Sequence, residues 1–318
     1  MPEFTKCLVT GGAGFIGSNL ADELIRQGRD VKIIDDLSTG FRENLMEISG
    51  QFEFIEGDLN DPKALEEAVS DVEVVFHQAA LPSVPRSVED PVATHEACAT
   101  ATLKLLTMAK DLGVRRFVYA ASSSAYGDQP VLPKVETMAS DPLSPYAAAK
   151  LMGEHYCTVF NRIYGLETIS LRYFNVFGPR QNPSSMYSGV ISRFIDALMK
   201  DDTPVIYGDG EQSRDFTYIA NVVNANIRAA EVSEGFGQSY NAANGERTTL
   251  NELLEVLKKI TGKEGVQADF QPPRKGDVLH SQADNSKAVR TLGYENLVGL
   301  EEGLQKTIEW WKASRFSS

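Results

Sequence analysis

Short apolar runs alternate with segments of helical period along the first half of the chain. Runs typical of buried strands lie at residues 6–10, 31–34, 52–55, 72–76, 117–120 and 168–172. Between them, apolar side chains recur every three or four positions at residues 15–27, 92–112 and 145–164, and Pro62 suits the first turn of a further helix. Strands that alternate with helices in this way predict an α/β fold with a doubly wound parallel sheet.

The pattern changes after residue 177. Loops rich in Gly, Pro and Ser appear at 178–188, 208–210 and 271–276, and helical periods recur at 189–200, 219–232, 249–261 and 300–313. We therefore expect residues 1–177 to form a first domain, with part of 213–243 returning to it. Residues 178–318 are expected to form mainly a second, smaller α/β lobe.

Length and charge narrow the classes of function. A chain of 318 residues suggests about two domains. It carries 31 Lys and Arg against 44 Asp and Glu, a formal charge of −13, which disfavours a general surface for nucleic acid or anionic lipid. We find neither an apolar run of about 18 residues nor a targeting segment, so we expect no interaction with a membrane.

The cysteines and histidines predict no disulfide and no metal site. Cys7, Cys98 and Cys157 are odd in number and widely spaced, so we expect buried thiols and a cytoplasmic protein. The 4 histidines and 3 cysteines show no metal-ligand spacing.

The turn after the first predicted strand contains Gly11, Gly14 and Gly17. In a Rossmann-type fold such glycines permit a tight turn, a close approach of pyrophosphate and close packing of the next helix, whose N-terminus attracts phosphate. An ordinary glycine-rich turn would show the same triplet, but the flanking strand and amphipathic helix favour a dinucleotide site. Asp35 ends the second strand, where a carboxylate binds ribose hydroxyls and repels a 2′-phosphate, so we predict NAD rather than NADP.

Tyr146 and Lys150 lie four positions apart in a predicted helix, and therefore on one face. We expect the ammonium to lower the pKa of the phenol, so that the phenolate can take a proton from a hydroxyl as hydride leaves its carbon. Ser122, at the end of the fifth strand, is placed to hydrogen-bond the reacting oxygen. A Tyr–Lys pair alone is common by chance, but together with the glycine turn the set is specific.

The whole chain resembles the extended short-chain dehydrogenases/reductases, and within them the UDP-sugar 4-epimerases that act on UDP-glucose or UDP-N-acetylglucosamine. The segments that carry the resemblance are 11–17, 77–80, 122–127, 146–150, 171–178, 210–218 and 274–277. It implies an isomerase in which Tyr146 is the acid/base of a triad with Ser122 and Lys150. The sugar is oxidised at C4 by tightly held NAD. The 4-keto intermediate then rotates about the diphosphate linkage, and hydride returns to its opposite face.

The resemblance also implies two sets of binding residues. The cofactor set is Gly11, Gly14, Phe15, Ile16, Gly17, Asp35, Leu37, Ser38, Gly40, Asp58, Leu59, Gln78, Ala79, Ala80, Tyr146, Lys150 and Tyr173. The substrate set is Ser122, Ser124, Asn175, Gln181, Val190, Tyr207, Arg214, Arg274, Asp277 and Ser281. The two arginines are expected to bind the diphosphate, Tyr207 the uracil and Asp277 the ribose.

Ser281 is the main indication of substrate choice. In the family the matching position borders the C2 substituent of the sugar, and a small side chain leaves room for an N-acetyl group. The residue matching Gln181 lines the same pocket in epimerases that favour N-acetylated substrates. We therefore expect UDP-GlcNAc and UDP-GalNAc as the leading pair, with UDP-Glc and UDP-Gal also accepted.

Two positions depart from the family pattern. Cys98 stands where the family commonly has Asn, which puts a local hydrogen-bond network in doubt. Pro82 stands where relatives that prefer N-acetylated sugars often have Gly, and it would narrow or stiffen the pocket loop. Small residues in the helices at 92–112 and 145–164 match those that form a dimer interface in the family, so we expect a homodimer.

Several alternatives stay open. Dehydratases and uronate decarboxylases carry acidic proton carriers where this chain has Ser123 and Ser124, which disfavours UDP-glucuronate decarboxylase. UDP-glucuronate 4-epimerase needs no such pair, and Arg86 could bind its carboxylate. A non-catalytic dinucleotide sensor is disfavoured because such proteins often lose the Tyr or the Lys.

Overall fold

The computed structural model describes residues 4–182, 189–273 and 279–313. The strands are β1 (Lys6–Thr10), β2 (Asp30–Asp35), β3 (Glu53–Glu56), β4 (Val74–His77), β5 (Arg116–Ser122), β6 (Glu167–Tyr173), β7 (Val176–Phe177), β8 (Val205–Tyr207), β9 (Ser213–Arg214), β10 (Thr217–Tyr218), β11 (Gln238–Ala242), β12 (Thr248–Thr249) and β13 (Asp269–Gln271). The helices are α1 (Phe15–Arg26), α2 (Arg42–Met46), α3 (Pro62–Val69), α4 (Val84–Glu89), α5 (Pro91–His95), α6 (Ala101–Asp111), α7 (Pro145–Tyr164), α8 (Val190–Met199), α9 (Ile219–Glu231), α10 (Leu250–Thr261), α11 (Ser286–Leu292) and α12 (Leu300–Ala313).

The central sheet has 7 parallel strands in the order β11-β6-β5-β4-β1-β2-β3. The order reverses between β1 and β4, which pair in register from Cys7 with Val74 to Thr10 with His77. In open α/β sheets, ligands bind outside the carboxyl ends of the strands at such a point. The α/β doubly wound fold predicted from the sequence is confirmed.

Successive strand residues feed two different cores, one on each face of the sheet. Cys7 and Val9 of β1 enter a core shared with α1, α9 and the helices α8, α10 and α12. Leu8, between them, enters the core formed with α3, α6 and α7. Unbroken apolar runs in the sequence therefore reflect strands that are buried on both faces.

The predicted helix at 92–112 is helical throughout but irregular. A π-helical turn, Glu96–Thr100, joins α5 to α6. The Thr102 hydroxyl donates to the Cys98 carbonyl at 2.7 Å. This hydrogen bond satisfies one of the carbonyls that the wider turn displaces from the regular helical pattern. Sequence periodicity missed this turn, and it also missed α2, α4 and α11, which are too short to show a period.

The C-terminal part of the chain contributes to both layers. β11 pairs with β6 at the sheet edge, and α9 packs against α1 and β5. The remaining helices α8, α10 and α12 form a smaller layer with the short parallel pair β8 and β13. Over the described residues, no helix is long and apolar enough to cross a membrane.

Candidate active site

A cavity of about 1180 Å³ opens at the carboxyl ends of the central strands. It is lined by most of the predicted cofactor residues: Gly11, Gly14, Phe15, Ile16, Gly17, Asp35, Ser38, Asp58, Leu59, Gln78, Ala79, Ala80, Tyr146, Lys150 and Tyr173. The predicted residues Ser122, Ser124, Asn175, Gln181, Arg214 and Ser281 line it as well. The structure thus brings the two predicted sets into one space, while their individual roles stay predictions.

Four other predicted residues do not line this cavity. Val190 and Tyr207 line a smaller cavity of about 200 Å³ instead. Leu37 and Gly40 support the site from behind, as described below, and Arg274 and Asp277 fall outside the described residues.

The glycine turn forms a cradle for a ligand, and Gly11 and Gly17 lie so close to neighbouring backbone that a side chain at either would collide with it. Gly11 has φ +66°, and a Cβ there would come within 2.7 Å of the Ala79 backbone nitrogen. A Cβ at Gly17 would collide with the Gly11 carbonyl. Helix α1 begins directly after this turn, and its N-cap Gly14 supplies no side-chain cap. This leaves helix N–H groups facing the cavity, which is the arrangement that the pyrophosphate of NAD requires.

Asp35 connects the glycine turn with the turn after β2. Its carboxylate accepts hydrogen bonds from the backbone nitrogens of Ala13 (2.9 Å) and Leu37 (2.8 Å). Burial raises the pKa of Asp35, and these backbone donors oppose that shift. Gly40 lets the chain pass closely, because a Cβ there would lie 2.8 Å from the carboxylate. The Gly14 backbone also donates to this carboxylate, and because a carboxylate has about four acceptor sites, capacity remains for one ribose hydroxyl.

Three side chains form a polar network beneath the middle of the cavity. The amide nitrogen of Asn226, on α9, donates to the Tyr173 hydroxyl at 2.8 Å. That hydroxyl lies 3.1 Å from the Gln78 amide oxygen, and the Gln78 amide nitrogen donates to Asn226 at 3.0 Å. The sequence indicated Gln78 and Tyr173 but not Asn226, because α9 returns to the sheet from a distant part of the chain.

Ser122 is prepared to act as a hydrogen-bond donor. Its oxygen accepts from the Ser124 hydroxyl at 2.8 Å and from the Ser124 backbone nitrogen at 3.2 Å. Its own proton therefore remains for an oxygen in the cavity. The Tyr146 phenol is such an oxygen, since a hydrogen bond with Ser122 lowers its pKa.

The electrostatics of the Tyr–Lys pair differ from expectation. Burial raises the pKa of Tyr146, and the Cys98 thiol adds to this, while only Ser122 opposes it. Burial likewise lowers the pKa of Lys150. In the chain by itself the pKa of this phenol is therefore raised, because loss of hydration has the largest effect on both groups, and the effect of Lys150 on the phenol stays a prediction.

His77 joins the glycine turn to the π-helical turn. Its Nδ1 lies 2.8 Å from the Thr10 hydroxyl and its Nε2 lies 2.8 Å from the Thr102 hydroxyl. Thr102 donates its proton to the Cys98 carbonyl, so Nε2 must carry the proton that Thr102 accepts. Burial, aided by the charge of Lys150, lowers the pKa of His77 well below its usual value. His77 is thus a neutral structural link between two walls of the site.

Arg214 lies where the large and small cavities meet and lines both. One of its terminal nitrogens donates to the carbonyls of Ser213 (3.0 Å) and Leu279 (3.1 Å). The next residue, Asp215, accepts from the backbone nitrogens of Asn244, Gly245 and Ala283, each at 3.0 Å. Burial raises the pKa of Asp215 to about 7, and those donors oppose the shift. Asp215 therefore ties the strand of Arg214 to the loop of Ser281.

The region around Ser281 shows what the sequence reading had missed. His280 also lines the large cavity, and its Nδ1 lies 2.9 Å from the Ser213 hydroxyl. Pro82 and Arg86, which the sequence analysis had singled out, line the same cavity. The Gln181 amide donates to the Val176 carbonyl at 3.2 Å and accepts from Ser192 at 2.9 Å.

Residues 7–243 match the family described as the NAD dependent epimerase/dehydratase family. The chain belongs to this family. Its predicted status as an NAD-dependent enzyme, and its resemblance to the UDP-sugar 4-epimerases, are confirmed.

Similar proteins align over nearly their whole length. A putative UDP-glucose 4-epimerase of Methanocaldococcus jannaschii is 41% identical over 96% of this chain and 98% of its own. The UDP-glucose 4-epimerase of Thermotoga maritima, solved with UDP-glucose, is 40% identical with a TM-score of 0.92, covering 97% of this chain and 99% of that one. The UDP-N-acetylglucosamine 4-epimerase of Methanobrevibacter ruminantium, in complex with UDP-N-acetylmuramic acid, is 39% identical with a TM-score of 0.93, covering 98% and 99%.

Proposed function

We propose that this enzyme interconverts UDP-GlcNAc and UDP-GalNAc by epimerisation at C4, and that it also accepts UDP-Glc and UDP-Gal. The observation that carries the proposal is Ser281, a small side chain on the wall of the same cavity as Tyr146. A hydroxymethyl group there leaves space for an N-acetyl substituent. The solved relatives that bind UDP-glucose and UDP-N-acetylmuramic acid support a UDP-sugar as ligand.

The chain's own groups account for the proton movements of this reaction. As the C4–O4 unit becomes a ketone, the Tyr146 phenolate takes the O4 proton, and the phenol returns that proton to O4 when the ketone is reduced in the second half. In the substrate complex the single proton of Ser122 is donated to O4 rather than to Tyr146, and the Lys150 ammonium favours the phenolate. NAD, held by the glycine turn and Asp35, would supply the hydride acceptor and donor for C4.

We expect the UDP-sugar to extend from the large cavity into the smaller one. Arg214, between them, is placed to bind the diphosphate, and Arg274 is expected to assist it. The smaller cavity, with Tyr207 and Val190, suits the uracil ring. Asn175 lines both spaces and adopts a positive φ of 33°, a strained conformation that is common where a backbone is held for binding.

We also propose that the protein is a homodimer and that it is cytoplasmic. Exposed apolar side chains mark the outer faces of α4, α5 and α7: Val88, Val92, Met152, Val159 and Ile163. Helix α5 packs beside α7, so these residues form one surface that suits a second copy of the chain. The three cysteines are free and buried, in keeping with the cytoplasm.

Turnover of three substrates tests the function. Purified protein, without added NAD, is incubated with UDP-GlcNAc, UDP-Glc and UDP-glucuronate, and the 4-epimers are separated by chromatography. We expect the fastest turnover with UDP-GlcNAc. The variant Tyr146→Phe should lose on the order of 10²–10⁴-fold in kcat while keeping its fold, because the proton carrier is removed. Absence of a 4-epimer from all three substrates would reject the proposal.

A second candidate is UDP-glucuronate 4-epimerase. Arg86 supports it, since this cation lines the cavity and could bind a C6 carboxylate. If this function is correct, UDP-glucuronate should be the best substrate, and Arg86→Gln should impair it while sparing UDP-Glc.

A further inference from the structure

The Lys150 side chain rests on an aromatic ring. Its ammonium lies 4.6 Å from the centroid of the Tyr119 ring, within the range of a cation–π interaction. Tyr119 is fully buried in β5 and Lys150 is 3% exposed. At such buried sites the attraction between a cation and a ring is stronger than at the surface.

The same tyrosine also holds the backbone of Lys150. Its hydroxyl donates to the Lys150 carbonyl at 3.2 Å. The hydroxyl occupies a slot beside Gly153, one turn further along α7, where a Cβ would collide with it. One side chain of β5 therefore contacts both ends of the lysine.

Within the described part of the chain, no carboxylate forms an ion pair with the Lys150 ammonium. Glu154, on the same helix, is bound by Arg172 at 2.8 Å, and His77 is kept neutral by burial. The titratable and charged groups that face Lys150 are His77 of β4, Cys98 of the π-helical turn, Tyr119 of β5, and Glu154 and Cys157 of its own helix, while Tyr146 lies one turn before it in α7.

We propose that Tyr119 is a positioning residue for catalysis, whose ring holds the Lys150 ammonium toward Tyr146 while its hydroxyl fixes the helical turn between them. The role rests on the proposed function, because Lys150 matters there through its effect on the Tyr146 phenolate. Gly153 takes part by leaving space for the hydroxyl.

Three variants of the NAD-loaded enzyme test this role. Tyr119→Leu removes ring and hydroxyl, whereas Tyr119→Phe keeps the ring. Phe117→Leu is the matched control, because Phe117 is an equally buried aromatic two positions away in the same core, and its ring packs on His77 as the Tyr119 ring does, whereas the Lys150 ammonium lies over the Tyr119 ring. For each variant, kcat is measured against pH, alongside the melting temperature and the NAD content.

We expect Tyr119→Leu to move the acid limb of kcat to higher pH by about half a unit or more, since a less well-held ammonium stabilises the phenolate less. Tyr119→Phe should move the limb in the same direction but less far, because it keeps the ring and loses only the hydrogen bond to the Lys150 carbonyl. Phe117→Leu should lower the melting temperature without moving the limb. An unmoved limb in Tyr119→Leu, with loss of stability alone, would overturn the proposal.

Two further measurements apply if Tyr119→Leu does not fold or if no UDP-sugar is turned over. If Tyr119→Leu does not fold, Tyr119→Met fills the same slot with a flexible apolar chain and carries the same expectation. If no UDP-sugar is turned over, the proposed function fails, but Tyr146 can still be titrated by its near-ultraviolet tyrosinate absorbance, taken as the difference from Tyr146→Phe. The same displacement of its titration by Tyr119→Leu would then support the inference, and its absence would reject it.

Discussion

At the scale of single residues, local hydrogen bonding decides what each polar group can do. Ser122 accepts from both the hydroxyl and the backbone nitrogen of Ser124, and so its own proton is directed to the cavity. His77 is fixed as a neutral ring by two threonine hydroxyls. These assignments follow from counting donors and acceptors, and they separate a hydroxyl that can take part in chemistry from an imidazole that only links elements.

Ser281 provides a prediction about substrate choice. Replacing Ser281 with Tyr should reduce kcat/KM for UDP-GlcNAc by about tenfold or more, because a bulky ring would overlap the space for the N-acetyl group. The value for UDP-Glc should change by less than about threefold. Ser281→Ala, which keeps the space, is the control, and kinetics with both substrates are the measurement. Equal losses on the two substrates would show that Ser281 does not border the C2 substituent.

At the scale of elements, the site depends on how closely one element can approach another. Gly11 has Ala79 of the β4–α4 loop directly against it, and Gly17 brings α1 onto the carbonyl of that same turn. The π-helical turn places the small residues Ala97 and Ala101 on the cavity wall. Close approach therefore comes from residues that lack bulk, and a single methyl group is enough to disturb it.

Gly17→Ala tests the cradle. The new methyl group would meet the backbone of Gly11 and Gly12, which cannot move aside as a side chain can. We expect the purified variant to retain less NAD per chain, by about fivefold or more, and to melt at a lower temperature. Gly265→Ala is the control, because nothing lies within 4 Å of a Cβ there. Equal NAD content in the two variants would contradict the cradle.

At the scale of the whole molecule, a continuous core joins the two parts of the chain. Leu20 of α1, Val222 of α9 and Trp311 of α12 belong to one buried cluster on one face of the sheet. Arg180, just after β7, adds polar links by donating to the Ser18 carbonyl at 2.8 Å and pairing with Asp22 and Glu47 at 3.2 Å. Gln181, the next residue, is thereby kept close to the helix that begins at the glycine turn.

The proposed dimer gives a prediction at this scale. Light scattering should show the mass of two chains at micromolar concentration, and Ile163→Glu should reduce it to one, because a charge would be buried at the interface. Ile163 is 69% exposed in the single chain. Val131→Glu is the control, since Val131 is also exposed, at 59%, but lies outside the helices that form the surface. A wild-type protein that is monomeric would reject the dimer.

Much of the fold could be read from the sequence because its signals are local. Fully buried parallel strands appear as unbroken apolar runs, and long helices such as α7 show their period, a capping Ser144 and a final Gly165. The glycine turn, Asp35 and the Tyr–Lys pair are likewise set by short spacings. The family resemblance extended this to residues such as Arg214 and Ser281, which no local pattern would have joined.

Tertiary structure alone decided the rest, because it depends on contacts between residues far apart in the chain. Asn226 reaches Tyr173, Tyr119 lies beneath Lys150, and the phenol of Tyr146 loses water to its surroundings. Burial reverses the expected direction of the pKa of Tyr146, since desolvation is a property of the packed molecule and of no sequence segment. The amino-acid sequence thus determined which chemical groups are available, whereas packing determined their charge, their partners and the direction in which they act.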